Sequence, residues 1–452
     1  MWNLQVPLFA LSLVYVMCVL KVMIIHVGNM NNMGTQALLK SDVSLIGDIA
    51  KGEVVFSIST TDVEGVKRLL SLDAVFPLMV DIPYERADSI AKKLGFSRSS
   101  WRYKVFALAS MIFMPIQMLL SAFSATSVNI GLKPFYRAAL IEHMKNCNLV
   151  VSYSDENFKE CASLLPTNIY WIFTWWTMLI SRTWDILTAK FLGKPVIMFP
   201  NSIGTFRTRL GFLLARLALT HCDLILVREP KSMRTIDSLG IRVPKILTAD
   251  TTLLLNPATK TSLETQHPVI GVSIGVYSYS LPLKGIDEFI EANSKALDKA
   301  VEKYNFNVVF LPHYVSGFRN DDLEISEMVL KRMRNKNRAR IINASSVEEF
   351  KSFLSEMDIV LTSKMHPAVL ALASYVPVVC IAYDDKQMGF FEQIEMLDCV
   401  LPIYNTSSEN LFSKISSVWK LRNEIKTKLE KRIPALRANI RNAARQALKD
   451  YI

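Results

Sequence analysis

Between Leu361 and Tyr383 the chain reads as an uncharged strand, a polar turn, a helix, a tight turn and a second strand. That order constrains the fold more than any other stretch. Strands separated by helices pair in parallel, because the helix returns the chain to the edge it left. The turn also carries Lys364 and His366 just past the first strand's C-terminal end. In open α/β sheets that edge is where ligands bind, and helix N-termini there favour anions. A titratable imidazole beside a fixed positive charge therefore predicts one wall of an anion site.

The same alternation recurs along most of the 452 residues. Strands are expected at Lys21 to Val27, Glu53 to Ile58, Leu149 to Ser152, Pro195 to Pro200 and Leu224 to Val227. A helix from Pro230 to Leu239 stops at Gly240, as a C-terminal glycine allows. Asn256 to Pro268 is polar, with a proline near each end, and reads as a linker. Beyond it come strands at Val269 to Ile274, Asn307 to Leu311 and Ala339 to Ile342. Between and after them, helices run near Ile286 to Tyr304 and Ile325 to Asn335. This length suits two α/β domains rather than one core. The expected division is an apolar segment 1–20, domains at 21–258 and 266–408, and basic helices over 409–452 that include Arg437, Arg441, Arg445 and Lys449.

Charge narrows the partners. The net charge of +11, from 52 Lys+Arg against 41 Asp+Glu, suits anionic lipid or phosphorylated substrates. Nucleic acid is not expected, since the basic residues are dispersed and no helix-turn-helix, zinc-finger or RNA-recognition signature occurs. Cys18, Cys147, Cys161, Cys222, Cys380 and Cys399 form no CxxC pair, so reduced buried thiols in a reducing compartment are expected. No cluster has metal-ligand spacing, and neither a metal nor a cofactor is expected.

Three uncharged stretches point to a membrane. Met1 to Leu20 is either a short anchor or an extension ahead of a start at Met23. The stretch from Val105 to Leu132 is long enough to span, yet basic residues flank both ends and Pro115 interrupts it. That pattern predicts a hydrophobic insert at about 103–135, either an in-plane or re-entrant hairpin or a buried helical pair over the sheet. Cys161 to Ser181 carries Trp171, Trp175 and Trp176, which suit an interface or a core. The expected location is cytoplasmic, at the inner face of the cell membrane.

Candidate site residues sit at strand ends. Asn32 and Gly34 occupy a flexible turn into a helix; this is neither GxGxxG nor a P-loop, so no nucleotide site follows from it. Arg228 ends a strand ahead of Pro230 and either grips a carboxylate or phosphate or pairs with Glu229. His313 is delivered to the edge of the second domain, and strand-end histidines of this kind are either functional or merely packed. Asp250 lines the cleft or caps a local turn.

Together these segments resemble the polysaccharide pyruvyl transferase family from Val22 to about Leu397. The most specific pieces are Val227 to Ile241, Thr362-Ser-Lys-Met-His-Pro-Ala368 and Ile381 to Phe390. Asn32-Met-Gly-Thr-Gln-Ala37, Ala249-Asp250 and Leu311-Pro-His313 support them. The resemblance implies two Rossmann-like parallel-sheet domains facing a cleft, as in GT-B glycosyltransferases. It implies transfer of pyruvyl from phosphoenolpyruvate to a glycan sugar as a cyclic ketal, and the apolar stretches add the expectation of a lipid-linked acceptor held at a membrane. Carried over, His366 and Lys364 are catalytic positions. Arg228 is carried over with them as a donor-binding position, and His313, Asn32, Gly34, Asp250 and Ser363 are the further substrate-binding residues expected. Three departures stand out: Lys364 where the family usually has arginine, Ser152-Tyr-Ser-Asp155 for a glycine-rich run, and Gly34-Thr35 for Gly-Asp. Alternatives are a nucleotide-sugar glycosyltransferase of the same fold and a non-catalytic, membrane-associated glycan-binding protein.

Overall fold

The computed structural model describes residues 19–50, 52–95, 100–161, 169–256, 267–276, 283–317 and 321–452. Most of segment 1–20 and of the linker, together with part of the stretch after Cys161, lies outside the described residues.

The first sheet contains β1 (Leu20–Val27), β2 (Val54–Thr60), β3 (Val75–Pro77), β4 (Leu149–Ser152), β5 (Val196–Asn201), β6 (Leu224–Val227) and β7 (Lys245–Leu247). Its order is β3-β2-β1-β4-β5-β6-β7, with parallel pairing throughout. The second contains β8 (Val269–Ser273), β9 (Asn307–Phe310), β10 (Ala339–Ile341), β11 (Ile359–Thr362), β12 (Val378–Ala382) and β13 (Val400–Pro402). It runs β10-β9-β8-β11-β12-β13, again parallel. Each order reverses once, at β1/β4 and at β8/β11. Those switch points open crevices beyond the strands' C-terminal ends, and both crevices face the gap between the domains.

Central strands such as β4, β11 and β12 are buried along their whole length, which is why they read as uncharged runs. Edge strands β3, β7 and β13 are only three residues long and gave no such signal. One apolar core runs continuously from Ile24 and Leu38 of the first domain to Leu361 and Leu370 of the second. The basic C-terminal helix Arg422–Leu448 fastens the halves. Arg437 donates from Nε to Leu253 O at 2.8 Å in the first domain and from Nη2 to Ala373 O at 2.7 Å in the second.

The insert departs from the expected hairpin: Trp101–Asn129 is one 29-residue helix that continues through Pro115. Proline there forfeits a single backbone bond on the exposed side. A buried stripe from Tyr103 to Ala125 packs before and after it and keeps the helix in one piece. The tryptophan-rich stretch enters the helix Ile169–Phe191, where Trp176 Nε1 donates to Glu160 Oε1 at 2.7 Å and Phe173 stays exposed. The five described cysteines are free and buried.

Candidate functional site

The loop after β1 crosses from one domain to the other. Asn32 accepts a bond from Gly34 N at 2.9 Å through Oδ1, capping the helix Met33–Ala50. Asn32 also pairs with Tyr314 as an antiparallel bridge, and Met33 N donates to His313 O at 3.3 Å. A Cβ at Gly34 would lie 2.0 Å from His366 Nδ1. Glycine is what lets this helix terminus lie against the imidazole. Thr35 beside it is buried, with its carbonyl accepting from Tyr153 Oη at 3.4 Å.

His366 opens the helix Met365–Ala373 that follows β11, and His313 follows β9. Their rings stack at 6.1 Å between centroids with 22° between planes. Both are buried. Neither nitrogen of His313, nor His366 Nε2, finds a hydrogen-bond partner among the described residues. Burial lowers the pKa of His366, Arg228 and Lys386 lower it further, and Asp250 and Asp155 oppose them. Burial likewise holds His313 well below the ordinary histidine value, with His366, Lys364 and Lys386 adding to the effect. Two neutral imidazoles thus lie face to face in a positive surrounding.

Arg228 is 1% exposed at the end of β6. Its Nη1 donates to Asp250 Oδ2 at 2.9 Å and its Nε to Ser202 Oγ at 2.6 Å, while Glu229 Oε2 stands 3.7 Å away. The two readings of this arginine are therefore not exclusive. One arm is tied to Asp250, and Nη2 is buried with no partner among the described residues. Asp250 caps the local turn, as one of its two expected roles required, and also holds the arginine. Its Oδ1 caps Thr252 N at 3.0 Å while Oδ2 holds the arginine. Burial pushes the Asp250 carboxyl up, but Arg228 and His366 outweigh it and hold it below the usual carboxylate range. For Glu229 burial wins over Arg228 and its serine partners, and the carboxyl is pushed up to about 7.

Lys364 meets Asp322 Oδ1 at 2.9 Å, both side chains being buried, so its charge is already partnered within the second domain. Ser363, expected to bind substrate, commits its hydroxyl to the backbone of the second domain. Its hydroxyl donates to Gly275 O at 2.8 Å and accepts from Gly275 N at 3.0 Å, locking the β8 and β11 loops together. Its place is in the frame because the loop backbone uses both of its bonds.

Several neighbours carried no signal of their own in the sequence. Glu156 and Lys159 follow β4, and Asp384 and Lys386 follow β12. Lys159 bridges Glu156 and Asp384 at 2.6 Å each, and Lys386 meets Glu156 at 2.8 Å, so the ion network joins the two domains. These four residues, with Ser202 and Glu229, line a narrow cleft beside Arg228. The only available clue was their position one to seven residues past an uncharged run. Asp155, in the altered glycine-rich segment, acts electrostatically on His366 and Arg228, so that segment belongs to the site's wall. Among the described residues no three His, Cys, Asp or Glu side chains are grouped to hold a metal ion.

Residues 63–385 match the sequence family described as polysaccharide pyruvyl transferase. Over 267 residues the chain is 19% identical to the amylovoran biosynthesis protein AmsJ of Erwinia amylovora. That match covers 55% of this chain and 63% of AmsJ, less than two thirds of the relative's length. Among solved structures, a putative UDP-N-acetylglucosamine 2-epimerase from Listeria monocytogenes aligns with a TM-score of 0.57 at 13% identity, covering 94% of each chain. The glycotransferase of kitacinnamycin aligns with a TM-score of 0.52 at 10% identity, covering 96% of this chain and 99% of that one. At such identities the likeness is one of fold: two parallel-sheet domains in a GT-B-like arrangement.

Proposed function

Because the chain belongs to the polysaccharide pyruvyl transferase family, we propose that it moves pyruvyl from phosphoenolpyruvate onto a glycan sugar. The product is a cyclic ketal on two hydroxyls of one residue, in a polysaccharide or its lipid-linked precursor. One observation carries this reading. Arg228 Nη2, His366 Nε2 and both nitrogens of His313 are buried without partners among the described residues, and they come from both domains. Buried polar atoms are almost always bonded, so an orphaned guanidinium nitrogen beside two imidazoles, each with one N–H to give, favours a ligand rich in acceptor oxygens. A compact phosphate and carboxylate donor supplies them. The N-terminal end of the helix Met33–Ala50, reached through Asn32 and Gly34, lies on the same side, and its dipole favours a negative group.

The chemistry balances with the chain's own groups. The donor's negative charge raises the neighbouring imidazole, so His366 takes up a proton as the donor enters. His366 then gives that proton to the methylene carbon, leaving an oxocarbenium centre at C2. A first sugar hydroxyl bonds to C2, phosphate leaves with the electron pair of the C2–O bond, and a second hydroxyl closes the ring. Of the two hydroxyl protons, one returns to the imidazole pair and the other departs on phosphate. Neutral His313 is placed to accept. Arg228 and Lys364 offset the donor's charge, the lysine through a position fixed by Asp322.

The test is phosphate release from phosphoenolpyruvate with a panel of diol-bearing oligosaccharides. Turnover is expected, and His366→Gln is expected to slow it by about 10²–10⁴-fold, the usual worth of general acid–base help. Binding and turnover of a nucleotide sugar, with no phosphate released from phosphoenolpyruvate, would overturn the reading.

A further inference from the structure

The Trp101–Asn129 helix is polar where it meets the protein and apolar where it does not. Its inward stripe is Tyr103, Ala107, Ser110, Met114, Ser121 and Ser124, small or polar for the most part. Gln117 bonds Asp81 through Nε2 to Oδ2 at 2.9 Å, and its Oε1 accepts from Asp81 N at 3.1 Å. Trp184 Nε1 donates to Ser121 Oγ at 2.8 Å, and Ser124 Oγ donates to Tyr136 O at 3.0 Å. The opposite stripe is Val105, Leu108, Ile112, Ile116, Leu119 and Phe123, each between 48% and 67% exposed. A helix on a water-soluble surface carries the reverse distribution. An apolar face this long exceeds what monomeric proteins leave in water.

We propose that this face docks the protein onto an anionic lipid bilayer, with the helix lying in the membrane plane. Charge selects the occupant. From Trp101 to Arg137 there is no acidic residue, and the exposed cations Arg102, Lys104 and Lys133 mark the two ends. A second copy seated on this face would set those cations against one another, whereas anionic headgroups neutralise them. Exposed Trp101 sits at the level an interfacial aromatic occupies. The helix Arg209–Thr220 continues the pattern: Leu210, Leu213 and Leu217 are exposed beside Arg209 and Arg216, again with no acidic residue. It packs on Ile169–Phe191, which packs in turn on the long helix.

The helix is long and apolar enough to cross a membrane, but its packing opposes a span. The buried stripe runs nearly the whole helix against the Pro83–Leu94 and Ile169–Phe191 helices, so a crossing would drag the charged domain into hydrocarbon.

Flotation of the whole chain with vesicles of phosphatidylglycerol and phosphatidylcholine tests the proposal against vesicles of phosphatidylcholine alone. Binding to the anionic vesicles is expected. Leu108→Glu, Ile116→Glu and Phe123→Glu together should weaken it at least tenfold while circular dichroism stays native, because these side chains already face outward. Lys104→Glu with Lys133→Glu should abolish the preference for phosphatidylglycerol. The proposal is overturned if the unmodified chain floats with neither vesicle, or if the triple variant binds as well as the original, which would place the anchor elsewhere. It is also overturned if the face mediates self-association that the triple variant abolishes without any vesicle binding.

Discussion

The interdomain cleft and the long apolar helix invert the ordinary partition of residues in opposite senses. At the cleft, Arg228, Asp250, Lys364 and Asp322 are buried, and cationic or imidazole nitrogens are left without partners among the described residues. On the helix, leucines, isoleucines and phenylalanines stand in the open while serines and a glutamine face inward. Burying charge and exposing large apolar area both cost stability. Neither is needed to hold two parallel sheets together. On the two proposals above, each inversion marks a surface complementary to something other than water, an oxyanion at the cleft and lipid at the helix.

The largest effect expected is at Arg228. Arg228→Met leaves Asp250 and Glu229 buried without their cation, which should cost about 3–5 kcal/mol of stability, as breaking a buried pair usually does. Arg228→Lys is the informative partner: it keeps the charge and the fold but has no second nitrogen to offer, so activity should fall by about 10²-fold. A lysine variant with full phosphate-release activity would break the oxyanion half of the comparison. Gly34→Ala comes next. Its Cβ would collide with the His366 ring, forcing the helix terminus or the imidazole aside, and a shift of that size should cost about 10- to 100-fold in kcat/KM. Unchanged kinetics would show that the ring is not held there during turnover.

The smallest effect separates function from simple misfit. Asp185 is buried on the helix Ile169–Phe191, with neither oxygen bonded among the described residues and His26 Nε2 at 3.8 Å. Burial pushes its carboxyl up to about 8 and keeps His26 neutral, so the pair is uncharged near neutral pH. A raised carboxyl favours the folded state most below its unfolded pKa of about 4, and that advantage drains away as pH rises toward 8. Asp185→Asn should therefore gain about 1–3 kcal/mol near pH 8 and nothing at pH 4, as thermal unfolding across pH would read. If the same change also slows pyruvyl transfer, the set of functional orphans extends beyond the cleft.

Much of the frame was legible in the sequence. Uncharged runs such as Leu149 to Ser152 and Leu224 to Val227 coincide with β4 and β6, because strands buried on both faces admit little else. Of the three-residue edge strands, β10 was legible at Ala339 to Ile342, whereas β3, β7 and β13 are too short to stand out as runs. Strand-end placement singled out His366, His313 and Arg228. It gave no hint that Ser363 spends its hydroxyl on Gly275, or that Lys386 and Glu156 stitch the domains. Pro115 suggested a break that continuous packing overrides.

The chain's own order of residues determined the parallel sheets, the residues at their C-terminal edges and the presence of an apolar insert, because these follow from periodicity and local turn chemistry. Tertiary structure alone decided which residues meet: Gly34 beneath His366, Asn32 bridged to Tyr314 through the backbone, Lys159 on Asp384. It also decided that the insert turns its apolar side outward. Such contacts join residues hundreds of positions apart, and burial sets the charge of the groups involved. Neither is written in any local window of the sequence.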